Sequence, residues 1–170
     1  MSASVDSSPR PDASGDASES SILVRPARAA DLPRVLEVEQ AAYSSPWSGA
    51  AFETLLPRDG QGVYFRVGVL DGRVVGHGIL WMVQDEAELA NLAVEPGFRR
   101  RGVARHLLDH LLDEAGRSGV ARVFLEVRVS NEGAQDLYRS RGFELVGHRR
   151  DYYRNPLEDA QILRLDLTPS

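Results

Sequence analysis

The sequence has no cysteine and no lysine. Without cysteine there are no disulfides, no thiolate metal sites and no mechanism through an acyl-cysteine intermediate. All 20 basic residues are arginine, against 25 acids, and the formal net charge of -5 argues against a broad nucleic-acid surface, which needs a basic face. Long apolar runs are also missing. The first twenty residues are small and polar rather than basic and then apolar, so neither a signal peptide nor a membrane span is expected, and a cytoplasmic protein is.

At 170 residues and 42% hydrophobic, the chain is long enough for one domain with a sizeable core. Residues 1–20 hold Asp6, Asp12, Asp16 and Glu19 against Arg10 alone, with almost no large apolar side chain. Such a stretch cannot offset its ordering entropy by burial, so a disordered tail is expected there and a single domain over residues 21–168.

Within the domain, Ile22, Leu23 and Val24 read as a short first strand. Residues 31–43 carry Leu32, Val35, Leu36, Val38 and Ala42 near the 3.6 spacing, with Pro33 in the first turn. Ser48 suits the cap of a second short helix running to Leu56. Two β-rich runs, Val63–Leu70 and Arg73–Val83, flank Asp71-Gly72, a strong hairpin signal. A third strand spans Glu86–Val94. Val103, Leu107, Leu108, Leu111, Leu112 and Ala115 then share one helical face that stops at Gly119. An apolar strand around Val123, a helix over residues 131–140 ended by Gly142, and strands over residues 143–146 and 161–167 complete the order. Strands first and helical crossovers later indicate a mixed α/β sheet without repeats.

The stretch from Asn91 to His110 organises the rest. A strand ending at Val94 breaks into a turn and then a basic, glycine-containing helix start, Arg99-Arg100-Arg101-Gly102-Val103-Ala104. The first N–H groups of such a helix lack intrahelical partners and lie at the positive end of the dipole, a seat for phosphate or pyrophosphate. Neither GxGxxG nor GxxxxGK is present, and three arginines can equally form a solvated corner. The order Arg99-x-x-Gly102-x-Ala104, after a strand and opening a helix, resembles the acyl-coenzyme A signature of the GCN5-related N-acetyltransferase family. That resemblance implies an acyltransferase fold: a mostly antiparallel central sheet, splayed between strands 4 and 5 and flanked by helices. The pantetheine arm of acetyl-coenzyme A, the co-substrate, would lie in the cleft; no metal is implied.

Three side chains could carry chemistry. Glu126 interrupts the apolar strand Phe124-Leu125-Glu126-Val127; it either points to a solvent face or sits at the cleft as a general base for an amine. Tyr138, beside Leu137 on the next helix, is either a core aromatic or the proton donor to a departing thiolate. Asn131 could cap that helix, reach the pantetheine amides, or both.

Further motifs strengthen the likeness: Leu125-Glu126-Val127-Arg128-x-Ser130-Asn131, Leu137-Tyr138 with Gly142-Phe143, Arg149-Arg150-Asp151-Tyr152-Tyr153, Glu158-Asp159-Ala160, Pro46-Trp47-Ser48 and Asp85-Glu86-Ala87-x-Leu89-x-Asn91. Over about residues 22–167 these are similar to the branch of the family that acetylates ribosomal-protein N-termini. The resemblance implies Glu126 as base, Tyr138 as acid, and cofactor contacts at Leu92, Ala93, Val94, Arg99, Arg100, Arg101, Gly102, Val103, Ala104 and Asn131. It further implies, as acceptor, the N-terminal Ala of small-subunit ribosomal protein eighteen. Trp47 and Tyr152 could line the peptide site or be core packing, and Tyr153 likewise. Arg99 stands where the signature often has Gln, and Ala104 where Gly is common; both are within the family's range. A lysine or small-molecule amine acceptor, and a coenzyme A-binding module without turnover, remain the alternatives. A monomer is expected, with no nucleic-acid or membrane partner.

Overall fold

Asp71 and Gly72 both adopt left-handed backbone, with φ of 51° and 77°, as a tight two-residue hairpin requires. They join β2 (Val63–Leu70) to β3 (Arg73–Val83), and β4 (Glu86–Val94) returns antiparallel to β3. These boundaries match the expected ones. The computed structural model describes residues 21–167, so the expected tail over residues 1–20 lies outside the described residues. The other strands are β1 (Leu23–Pro26), β5 (Arg122–Arg128), β6 (Glu144–Tyr153) and β7 (Glu158–Asp166). All seven form one sheet in the order β1-β2-β3-β4-β5-β7-β6, with β4 and β5 its parallel neighbours.

The helices are α1 (Leu32–Ala42), α2 (Gly49–Leu55), α3 (Val103–Arg117) and α4 (Glu132–Ser140). Ser48 caps α2 by accepting the Ala51 N–H at 3.2 Å. Neighbouring residues of a strand face opposite sides of the sheet, and β3 uses both. Ile79 joins the cluster built by Val35 of α1 and Phe52 of α2. Leu80 joins Leu108 and Leu111 of α3 and Tyr138 of α4. No described helix is long and apolar enough to cross a membrane.

Two features place the functional site. Ile79 pairs with Asn91 and Leu80 with Leu89, which leaves Ala90 as an extra, bulged residue in β4. Glu86, Ala87 and Glu88 pair with Arg122, Val123 and Phe124, and beyond Phe124 β5 pairs only with β7, as far as Arg128. The two strands therefore part just where the bulge bends β4.

One strand is longer than its sequence suggests. The expected residues 143–146 become the ten-residue β6, which contains Arg149, Tyr152 and Tyr153. As the edge of the sheet it is mostly exposed and charged, and so lacks the apolar alternation that marks a half-buried strand. Likewise β1 runs to Pro26 and β7 begins at Glu158, both past the apolar residues that announced them.

Helix α3 lies close against β2 and β3 because glycines leave room for it. A Cβ on Gly76 would meet the Ala93 carbonyl at 2.9 Å, Val103 Cγ1 at 3.0 Å and Leu107 Cδ1 at 3.1 Å. Gly76→Ala should therefore cost about 1–3 kcal/mol by overpacking. Exposed Gly116 of α3 has nothing within 4 Å of a built Cβ, and Gly116→Ala should be neutral or add up to about 1 kcal/mol. Urea denaturation midpoints check both; an unaltered midpoint for Gly76→Ala would contradict the close approach.

Candidate active site

Where β4 leaves β5, a cleft of about 450 Å³ opens. Leu89, Asn91 and Leu92 of β4 form one wall and Glu126 and Arg128 of β5 the other. Asn131 and Tyr138 of α4 and its N-cap close one end, and Tyr43 and Trp47, after α1, close the other. A second groove of about 480 Å³ adjoins it, lined by Trp81, Glu88, Phe124, Arg149 and Tyr152. Glu126 belongs to both.

Glu126 alternates with the buried Leu125 and Val127, so its carboxylate leaves the core face of β5. It is only 17% exposed, and Arg149 Nε meets its Oε1 at 2.9 Å. The ion pair orients a carboxylate that can take up a proton from a group in either cavity. It also feels Tyr152, whose phenol is pushed up to about 12 by the hydrogen bond to Glu126 and then by burial. Burial, followed by the charge of Glu126, raises the Glu88 carboxyl above its usual range, with Arg149 opposing.

Tyr138 is at once a core residue and a cleft residue. Its ring packs edge-on to Phe143 at 5.7 Å inside the core, yet it lines the cleft. Burial first, then nearby Tyr153, raises its phenol well above the ordinary value. It stays protonated at neutral pH, as a proton donor must. Asn131 caps α4, its Oδ1 accepting the Ala134 N–H at 3.1 Å, and also lines the cleft. Its amide nitrogen is not used by the cap.

The basic turn has the backbone of an anion seat. Arg100 (φ 65°) and Gly102 (φ 83°) are left-handed, and Gly102 is the N-cap of α3 with no side-chain cap bond, so the first N–H groups of this 15-residue helix are left unpaired by the cap. The helix proper starts at Val103, directly after its Gly102 cap. Arg99, Arg100 and Arg101 are exposed, with Arg101 lying 5.3 Å above the Phe98 ring. Val103 is buried in the core, so it and half-buried Ala104 would meet a ligand through the main chain. None of these residues lines either cavity. The turn follows β4 out of the cleft, through buried Ala93 and half-buried Val94.

Trp47 and Tyr152 fall on different walls. Trp47 packs tilted against Phe52 at 5.5 Å and stacks on Trp81 at 5.9 Å, half in the core, and lines the cleft. Tyr152 is exposed on β6, in the adjoining groove, with the Arg149 guanidinium 5.5 Å above its ring. Tyr153 lies at the cleft beneath the Arg128 guanidinium, 4.4 Å from the ring centre. Among the described residues no group of three or more His, Asp or Glu side chains is placed to hold a metal ion.

Several site residues were not singled out by sequence reasoning. Tyr43 donates its hydroxyl to the Leu92 carbonyl. Arg128 binds the Arg154 and Pro156 carbonyls and Glu158, bracketing the β6–β7 connection. Glu39 is buried and hydrogen-bonded to His77 and Asn91. The signal for Glu39 was present: it lies four residues after Val35, on the apolar face of its helix.

The model of the acetyltransferase (GNAT) family matches residues 32–143. The [ribosomal protein bS18]-alanine N-acetyltransferase of Salmonella typhimurium is 41% identical over 140 residues, covering 81% of this chain and 93% of that protein. The crystal structure of the ribosomal-protein-S18-alanine N-acetyltransferase from Escherichia coli superposes with a TM-score of 0.79 at 36% identity, over 88% of this chain and 96% of the other. Ard1 from Thermoplasma volcanium also gives 0.79, at 25% identity, over 86% and 98%.

Glu126→Gln removes the charge, and leaves only a weaker neutral acceptor, where the carboxylate holds Tyr152 high. Its phenol should fall toward the ordinary value of about 10. An ultraviolet tyrosinate titration of the variant should show one phenol ionising earlier than in the wild type. Superimposable titrations would break the proposed coupling.

Proposed function

The chain belongs to the acetyltransferase (GNAT) family and is an acetyl-coenzyme A-dependent N-acetyltransferase; we propose that its acceptor is the N-terminal alanine of ribosomal protein bS18. The relatives named for that reaction support this reading, since they align along most of their own length. The observation that carries the catalytic part is the meeting of Glu126 and Tyr138, from two different elements, at one cleft where β4 releases β5.

Acetyl-coenzyme A supplies a thioester carbonyl that a neutral amine can attack. The parted β4 edge and the uncapped start of α3 fit such a ligand: unpaired strand backbone suits the amides of its arm, and helix N–H groups suit its pyrophosphate. In this reading Arg99, Arg100 and Arg101 add charge-assisted contacts around the Gly102 turn. A main-chain N–H among Leu92, Ala93 and Val94 polarises the carbonyl in the manner of an oxyanion hole. Asn131 contributes its free amide nitrogen.

Glu126 takes the proton of the acceptor's α-ammonium, directly or through water. That group has an unperturbed pKa of about 8, so the demand on the base is modest near neutrality. As the new C–N bond forms and the C–S bond breaks, Tyr138 gives its proton to the sulfur and regains one, directly or through water, from the second proton that the acylated nitrogen loses. Nothing in this sequence needs a covalent enzyme intermediate, and no cysteine is available for one. Trp47 and Tyr152 line the approach of the peptide from the two sides of Glu126.

Thiol release should occur with a hexapeptide copying the N-terminus of bS18, and not with the same peptide blocked at its α-amine and carrying a free Lys. Turnover of the blocked peptide would instead assign a lysine acetyltransferase, and silence with both would remove this acceptor. Glu126→Gln should lower kcat by about 10²–10⁴-fold with coenzyme A affinity nearly unchanged. Tyr138→Phe should slow thiol release, and an unaltered rate would return that residue to the core alone.

A further inference from the structure

We propose that Glu39 is a positioning residue for the acceptor, a buried carboxylate that fixes the wall of the cleft carrying Trp47. The inference rests on the acceptor reading above. Glu39 is 1% exposed and lies in the body of α1. A buried carboxylate persists only when hydrogen bonds replace its water, and this one draws them from three separate places. His77 Nε2, in the middle of β3, lies 2.8 Å from Oε2. Asn91 Nδ2, just past the β4 bulge, donates to both oxygens at 3.1 Å. The main-chain N–H of Trp47, in the connection to α2, donates to Oε1 at 3.2 Å.

One side chain thus joins the helix, two strands and a loop. The loop bears Tyr43 and Trp47, and Asn91 and Glu39 themselves line the cleft. Tyr43 adds a second tie by binding the Leu92 carbonyl. Without the carboxylate the loop has no charged anchor to the bulged strand, and the entrance between Trp47 and Glu126 loses its set width.

The network is not what stability alone would select. His77 Nδ1 and Asn91 Oδ1 are both buried without a partner among the described residues. The Phe52 ring presses against His77 edge to face at 5.4 Å, so the surroundings are apolar. Well-packed apolar side chains commonly equal or exceed such buried polar groups in stability. What they cannot do is hold a main-chain N–H of the loop and an amide of the strand at fixed geometry.

The test is a split between the two substrates. Glu39→Gln replaces one of the two acceptor oxygens with an N–H₂ that faces a donor, and the peptide KM should rise about tenfold or more, while coenzyme A binding, measured by calorimetry, falls by much less, because the start of α3 that would seat its pyrophosphate lies outside this network. If Glu39→Gln does not fold, His77→Leu takes its place, with His77→Gln as the conservative return that restores a donor to Oε2. An unchanged peptide KM in the folded variant would overturn the proposal. So would a loss of coenzyme A affinity in step with the peptide, or a His77→Gln protein as impaired as His77→Leu. Hydrogen exchange of residues 43–48 gives a reading that does not depend on turnover: protected in the wild type, faster in the variant, with α3 unchanged. If the wild type fails to acetylate the peptide, the acceptor reading falls; the exchange of the loop still decides whether Glu39 holds it.

Discussion

The constraint on which this structure depends is the limit of three residue pairs between β4 and β5. Parallel neighbours in a sheet normally share hydrogen bonds along their length, since an unpaired strand edge inside a protein leaves polar groups unsatisfied. Here the extra residue Ala90 bends β4 away, and β5 turns its other edge fully to β7. The released backbone is the resource of the site. It offers hydrogen-bonding groups in a row, at a place where side chains from both faces of the sheet meet.

Holding the strands apart requires structure on both sides. On one side α3 is drawn onto the sheet by glycines of β2 and β3, which brings its uncapped N-terminus to the end of β4. On the other, the Glu39 network ties α1 and its following loop to the bulged strand. At the far wall Arg128 brackets the β6–β7 connection and Arg149 orients Glu126. Each support uses a different kind of interaction: close packing, a buried carboxylate and surface guanidinium contacts.

What could be read in advance follows from which interactions are local. The Asp71-Gly72 hairpin, the Ser48 cap and the glycine at the start of α3 are short-range devices, and each marks its position in the sequence directly. Glu126 stood out because a charge interrupted an apolar strand, and Tyr138 because a phenol on a buried face needs a use for its hydroxyl. Resemblance to the family turned those oddities into proposed roles. The partners were not legible: Arg149 lies 23 residues beyond Glu126, on an edge strand whose charged run resembles a loop. His77 and Asn91 lie 38 and 52 residues beyond Glu39. Pairings of that range exist only once the sheet has assembled.

The same distinction bears on how the acid and base share one small space. Glu126 is surrounded by groups that respond to its charge: Arg149 is attracted, while the phenols of Tyr152 and Tyr153 and the carboxyl of Glu88 are all pushed upward. For Glu88 and Tyr153 burial is the larger cause and the charge of Glu126 the second, whereas for Tyr152 the hydrogen bond to Glu126 comes first. Tyr138 is kept neutral chiefly by burial, and so does not depend on the ionisation of Glu126. That independence suits the proposed direct transfer between two substrates, in which the proton lost by the amine and the proton gained by the thiolate would be handled by different side chains.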